Sequence, residues 1–148
     1  MKKFLVILSL AGATLLTSCD NENTVNPQPL GTATITGTVF ADFDYTDNED
    51  GKTWNKVANK KVLVAIYNYY TDTYRYTETS TDANGNYSIE IKLGNQELEV
   101  DLWLVDFKQT VKFSADEQEE EIFYGDYFST GADIVKGGEY ILDMYYND

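Results

Sequence analysis

The chain has 148 residues, a formal net charge of −14, one cysteine and no histidine. The missing histidine excludes histidine-based acid–base catalysis, histidine-dependent nucleophile triads and imidazole metal sites. The single cysteine excludes an internal disulfide, and the acidic balance argues against nucleic-acid binding, because a polyanion requires lysine and arginine contacts.

The first residues combine a basic start with an apolar stretch. Two lysines precede the apolar run 4–16, which is shorter than the roughly 20 residues of a membrane-spanning helix. This pattern predicts a signal peptide over residues 1–18. The sequence "LTSC" (16–19) resembles the lipobox of bacterial lipoproteins, which implies cleavage before Cys19 and lipidation of its sulfur.

Residues after the lipobox extend this interpretation. A lipidated Cys19 implies an anchor in a membrane. Asp20 and Glu22 resemble the acidic sorting signals of some Gram-negative lipoproteins, which implies an outer-membrane or cell-surface location. Residues 20–31 contain both prolines of the chain and show no apolar periodicity. We therefore interpret 19–31 as the lipidated cysteine and a flexible tether. A single domain is predicted over 32–148.

Within this domain, apolar and polar residues alternate with a period of two, which is typical of β-strands. The continuous apolar run 60–70 predicts a central strand buried on both faces, with 74–81 as its hairpin partner. A short helix is predicted only for 115–123. The predicted strands are 32–40, 60–70, 74–81, 87–93, 97–107, 110–113 and 138–146. About seven short strands separated by turns favour an all-β, antiparallel sandwich.

Three stretches make this fold more specific. "ITGTVF", "VANKKVLVAIYN" and "TSTDANGNYSIEI" resemble transthyretin-like (prealbumin-like) domains, a group that includes carboxypeptidase regulatory-like domains and collagen-adhesin B-type repeats. The resemblance covers about 31–107 and includes a T-D-x-x-G-x-Y signature. It implies a seven-stranded antiparallel Greek-key sandwich and a non-catalytic role as spacer, stalk or adhesive module. The signature residues are Thr81, Asp82, Gly85 and Tyr87.

An acidic stretch, "ADFDYTDNEDGKTWN" (41–55), follows the first predicted strand. Its start, "GTVFAD", resembles adhesin repeats that bind Ca²⁺. Ca²⁺ takes six to eight oxygen ligands, which carboxylates and main-chain carbonyls can supply. The stretch lacks the EF-hand pattern, so we interpret it first as a solvated loop and second as a Ca²⁺ site. The candidate metal ligands are Asp42, Asp44, Asp47 and Asp50.

Tyrosines are dense in the hairpin 67–76, and a tryptophan follows the acidic stretch. Exposed aromatic rings can stack on sugars or anchor a protein interface. The alternative is cross-strand aromatic pairing that stabilises the sheet. The candidate ligand-binding residues are Trp54, Tyr69, Tyr70 and Tyr74.

Together these features predict a membrane-anchored binding or assembly module of the cell envelope without catalytic activity. A carbohydrate-binding accessory lipoprotein and a Ca²⁺-stabilised structural spacer are the two alternatives. The expected partners are the membrane, through the lipid anchor, and a protein or glycan at the cell surface. Nucleic acid is not expected as a partner, and Ca²⁺ is the one cofactor that the residues suggest.

Overall fold

The computed structural model describes residues 30–45, 53–113, 118–127 and 129–147. The regular elements in these ranges are β-strands, so the predicted all-β class is confirmed. The strands are β1 (Gly31–Asp42), β2 (Trp54–Lys56), β3 (Lys61–Asn68), β4 (Thr73–Ser80), β5 (Asn86–Leu93), β6 (Leu98–Leu104), β7 (Phe107–Val111), β8 (Glu120–Tyr124), β9 (Asp126–Tyr127), β10 (Thr130–Ile134), β11 (Glu139–Ile141) and β12 (Met144–Asn147).

Two larger sheets and one hairpin organise these strands. In the first sheet, β1 pairs with β5 and β2 in antiparallel fashion and with β11 and β12 in parallel fashion, and β9 pairs with β12. The second sheet has the order β10-β6-β3-β4, and all its pairs are antiparallel. Strands β7 and β8 form a separate two-stranded sheet. The predicted sandwich was purely antiparallel, whereas two strand pairs in the described ranges, β1–β11 and β1–β12, are parallel.

A single hydrophobic cluster joins the two larger sheets into a sandwich-like fold. Ile35 and Val39 of β1 are fully buried, as are Val100 and Leu102 of β6 in the other sheet. These positions follow the two-residue period of their strands, because alternate side chains point to the same face. The outer face of the second sheet is covered only in part: Leu63 of β3 is 37% exposed. Ala65, on the same outer face, is 1% exposed, so the predicted burial of this strand holds for the inner face and for part of the outer face.

Gly37 of β1 packs tightly against the segment between β11 and β12. β11 and β12 run beside β1 in one register that is interrupted opposite this glycine. At the interruption, the Leu142 amide donates a hydrogen bond of 2.8 Å to the Thr36 carbonyl. The Leu142 carbonyl accepts a hydrogen bond from the Tyr87 hydroxyl and occupies the place that a Cβ on residue 37 would need. The close packing of three strands here requires glycine.

The T-D-x-x-G-x-Y signature forms the turn that leads into β5. The Asp82 carboxylate accepts hydrogen bonds from the amides of Asn84 at 2.7 Å and Asn86 at 2.9 Å. Gly85 adopts a φ of 74°, which glycine tolerates without steric cost. The buried Thr81 hydroxyl donates a 2.7 Å hydrogen bond to the Val57 carbonyl, in the segment between β2 and β3. These signature residues therefore stabilise the turn.

Side chains of β4 cover the free edge of β5. The Thr79 hydroxyl donates a 2.9 Å hydrogen bond to the Ser88 carbonyl, and the Arg75 guanidinium donates a 2.7 Å hydrogen bond to the Lys92 carbonyl. Unpaired strand edges invite pairing with other chains, and these contacts occupy acceptors that an incoming strand would use.

Two segments differ from the sequence-based expectation. A helix was expected over 115–123, but residues 120–123 belong to β8, which pairs with β7, so the helix prediction is wrong there. Strand β10 was not predicted, because "TGADI" combines a glycine and an aspartate with little apolar alternation. Within the described ranges, no helix is long and apolar enough to cross a membrane.

We predict that Gly37→Ala destabilises the domain by about 1–3 kcal/mol, because the added methyl group displaces the Leu142 carbonyl. Urea denaturation followed by tryptophan fluorescence measures this change. Gly94→Ala is the matched control: the added Cβ would lie 3.7 Å from the Gln96 Oε1 atom, which is an ordinary contact distance. Equal stability of the two variants would contradict the predicted role of Gly37.

Candidate functional site

The outer face of the second sheet carries aromatic and acidic side chains side by side. Strand register aligns Tyr67 of β3 with Tyr74 of β4 on one side and with Glu99 of β6 on the other. Asp133 of β10 lies directly opposite Glu99. The neighbouring row across the same four strands consists of Tyr76, Ala65, Asp101 and Gly131.

Four tyrosines on this face are in ring contact, and we call Tyr67, Tyr69, Tyr74 and Tyr76 the tyrosine cluster. The ring of Tyr67 lies 5.0 Å from that of Tyr69 and 4.7 Å from that of Tyr74, between centroids. Tyr74 and Tyr76 are nearly parallel, with a 13° interplanar angle and 6.2 Å between centroids. Tyr69, Tyr74 and Tyr76 are 52%, 58% and 72% exposed, so the cluster presents much of its ring surface to solvent.

Three acids adjoin the cluster, and we call Glu99, Asp101 and Asp133 the carboxylate group. The Tyr69 hydroxyl donates to Glu99 Oε2 at 2.8 Å and lies 3.3 Å from Asp133 Oδ1. This hydroxyl links the tyrosine cluster to the carboxylate group. Tyr69, the carboxylate group, Gly131 and Ala132 line a surface depression of about 350 Å³.

Hydrogen bonds raise the pKa of two phenols of this site, and burial raises the pKa of one of its acids. The hydrogen bond to Glu99 raises the pKa of Tyr69, and the hydrogen bond to Asp72 raises the pKa of Tyr67. Burial, followed by the nearby charge of Glu99, raises the pKa of Asp101 above its ordinary value of 3.8. A raised carboxylate pKa means that the folded protein disfavours the charged form of Asp101.

The structure separates the four predicted ligand-binding residues. Tyr69 and Tyr74 belong to the tyrosine cluster, and Tyr67–Tyr74 is also the cross-strand pair of the alternative interpretation. Tyr70 lies in the β3–β4 turn and is 76% exposed. Trp54 lies on the first sheet, where its ring contacts Tyr145 in an edge-to-face geometry at 5.0 Å.

The carboxylate group was missed from the sequence. Glu99 and Asp101 fall at alternate positions of the predicted strand 97–107, but Asp133 was not placed beside them because β10 was not predicted. The alternating acids of "ELEVDL" were the available signal. The pairing of β6 with β10, which are far apart in the chain, decides whether these acids form a group.

The predicted metal ligands fall at the end of β1. Asp42 lies within the strand and is only 2% exposed. Its Oδ1 accepts a 3.1 Å hydrogen bond from the Asp44 amide, while its buried Oδ2 has no hydrogen-bond partner among the described residues. A buried carboxylate oxygen without a donor is costly, and a cation would offset that cost. Asp47 and Asp50 lie outside the described residues, as does Cys19.

Across the described ranges, no group of three or more acidic, cysteine or histidine side chains is arranged to hold a metal ion. The Ca²⁺ site therefore stays a prediction, with Asp42 as the residue that carries it. Asp44 forms an isolated parallel bridge with Lys112, which positions its main chain beside the end of β7.

Comparison with known proteins adds no relative. No protein-family model matches the chain, and no curated protein matches it at a significant level.

We predict that Asp101→Asn raises the melting temperature at about pH 7, because it removes a charge that the folded state disfavours. Because the pKa of Asp101 is raised in the folded protein, its ionised form is destabilising. The gain in melting temperature therefore grows as pH rises through the pKa of Asp101 in the folded state. It vanishes at about pH 3, where Asp101 is protonated in both the folded and the unfolded protein. Thermal melts of both proteins across this pH range measure the difference. Asp106→Asn, an exposed acid outside the site, is the control. An equal gain in both variants would contradict the assignment.

We predict that Ca²⁺ raises the melting temperature relative to EDTA, because the ion would pair with the buried Asp42 carboxylate. For a Kd of about 0.2 mM, a Ca²⁺ concentration of about 2 mM adds roughly 1.4 kcal/mol to the free energy of unfolding. Asp42→Asn should abolish the shift. An unchanged melting temperature of the wild-type protein would remove Ca²⁺ from consideration.

Proposed function

We propose that this chain is a non-catalytic binding module of the bacterial cell envelope, anchored through a lipid on Cys19 and contacting its partner with the tyrosine cluster. The observation that carries the binding role is the exposure of adjoining rings: Tyr74 and Tyr76 are more than half exposed and lie nearly parallel. Tyrosine is enriched at interfaces because its rigid ring offers contact area at low entropic cost.

The available chemistry supports binding rather than catalysis. The chain has no histidine, so proton transfer near neutral pH would depend on carboxylates or phenols. The raised pKa of Tyr69 holds its phenol in the protonated form, and the depression beside it is a shallow surface feature rather than an enclosed pocket.

Within this proposal the domain over 32–148 is a transthyretin-like Greek-key sandwich. Two observations support that finer description. The T-D-x-x-G-x-Y residues form the structured turn before β5, and one hydrophobic core joins the sheets that contain β1 and β6. Such domains generally serve as spacers or binding modules, so the likeness in sequence agrees with a non-catalytic role.

The envelope location rests on the residues before the domain. The lipobox-like "LTSC" at the end of an apolar run supports cleavage before Cys19 and its acylation. The tether 19–31 would hold β1 a short distance from the outer membrane or cell surface.

Carbohydrate binding is the second candidate function, and the Tyr74–Tyr76 pair favours it. These two exposed, nearly parallel rings present aromatic faces on which a sugar ring can stack. This candidate shares the same surface and differs only in the class of ligand.

We predict that Tyr74→Ala with Tyr76→Ala lowers the amount of cross-linked envelope partner by roughly tenfold, because it removes the exposed rings at the centre of the contact. The full chain is expressed in its native membrane, cross-linked and purified by a C-terminal tag, and its partners are quantified by mass spectrometry. In the same experiment, Cys19→Ser should move the protein from the membrane to the soluble fraction.

The matched control is Phe123→Ala with Ile141→Ala, which removes two large exposed side chains from other surfaces. If the control loses the partner equally, the tyrosine cluster is not the contact surface. If the Cys19→Ser variant remains in the membrane fraction, the prediction of a lipid anchor is wrong.

A further inference from the structure

The carboxylate group contains an unfavourable arrangement of charges. Glu99 and Asp133 lie directly opposite each other on β6 and β10. Like charges at such positions destabilise a sheet. The Tyr69 hydroxyl reaches both carboxylates, at 2.8 and 3.3 Å, but its single proton cannot neutralise two negative charges. The sheet therefore retains a net negative charge at this point.

Asp101 adds a third negative charge one row further along β6. The residue opposite it, Gly131, leaves its carboxylate uncovered, since a Cβ there would stand 2.6 Å from Asp101 Oδ1. The depression between these residues opens beside the Tyr69 ring. A side chain that enters it would meet carboxylate oxygens and an aromatic ring together.

No basic side chain of the second sheet compensates this charge. Among the described residues of its four strands, Lys61 is the one basic residue on the outer face, and it pairs with Glu78 at 2.9 Å. Arg75 belongs to the opposite face and donates to the Lys92 carbonyl. The positive charge that would relieve the repulsion must come from outside the sheet.

We propose that the outer face of the second sheet binds a basic segment of a protein partner, with an arginine or lysine head group between Glu99 and Asp133 and the adjoining residues along the tyrosine cluster. This inference rests on the proposed binding function and names the chemistry of its partner. Carboxylates accept paired hydrogen bonds from a guanidinium, and aromatic faces attract cations.

Two other ligands fit this face less well. The described residues provide no set of three side chains arranged for a metal ion, which favours an organic cation. A neutral saccharide could stack on Tyr74 and Tyr76, but it would leave the repulsion between Glu99 and Asp133 in place. Charge complementarity therefore favours the basic segment.

The test is fluorescence anisotropy of the full chain with a labelled peptide of alternating glycine and arginine. A glycine–serine peptide of equal length and a labelled neutral β-linked hexasaccharide are the comparison probes. Glu99→Gln with Asp133→Asn should weaken binding of the arginine peptide by roughly tenfold, and Tyr74→Ala with Tyr76→Ala should weaken it as well.

The control must separate local from overall charge, because an acidic protein attracts any polycation. The control variant, Asp106→Asn with Glu120→Gln, also removes two negative charges. Asp106 directly precedes β7 and Glu120 begins β8, and both side chains are exposed. This variant should change the affinity by less than about twofold. The Glu99/Asp133 variant should melt no lower than the wild type, because it loses a repulsion, so weakened binding cannot reflect unfolding.

Each outcome decides the proposal. Equal weakening in the control variant would show attraction by net charge alone and overturn the inference. Binding of the hexasaccharide that depends on Tyr74 and Tyr76, without binding of the arginine peptide, would overturn the basic partner but retain the binding function. If no probe binds while cross-linking of the partner still depends on the tyrosine cluster, the proposal of a basic partner segment is wrong. If cross-linking is independent of the cluster too, the proposed function also fails.

Discussion

The fold depends on β1, because this strand pairs with four other strands, two along each edge. One edge pairs with β5 and β2, and the other pairs with β11 and β12. Such pairing is possible only if the neighbours approach closely, and Gly37 provides the space where the Leu142 carbonyl crosses the strand. The alternate residues of β1 then reach the core, with Ile35 and Val39 fully buried. Strands distant in the chain meet through this one element.

The first sheet forms one side of the core, and the second sheet contributes its inner face to the same core. Val62, Val64, Val100 and Leu102 fill that inner face. The outer positions of the same strands can therefore hold tyrosines and acids whose burial is incomplete. Alternation along a strand separates the two roles residue by residue: Val100 packs in the core, while Glu99 and Asp101 face outward. A surface that costs some local stability is tolerated on a sandwich held by its inner face.

Sequence reasoning succeeded where the information is local. Alternation located β1, β5 and β6, and the T-D-x-x-G-x-Y residues before β5 were singled out by their resemblance to a known signature. It was wrong for 120–123, because pairing with β7 decides the conformation of these residues. At the site, the density of tyrosines indicated Tyr69 and Tyr74. The carboxylate group depends on the register between β6 and β10, and no local pattern encodes which distant strand will lie beside another.

The placement of β1 also determines how the domain bears mechanical load. A pull on the chain ahead of Gly31, directed along β1, acts parallel to the strand and across its ladders with β5 and β11. The hydrogen bonds of both ladders then resist in shear and share the force, instead of opening one after another from the end. The strand that organises the core is thus also one that resists extension of the chain.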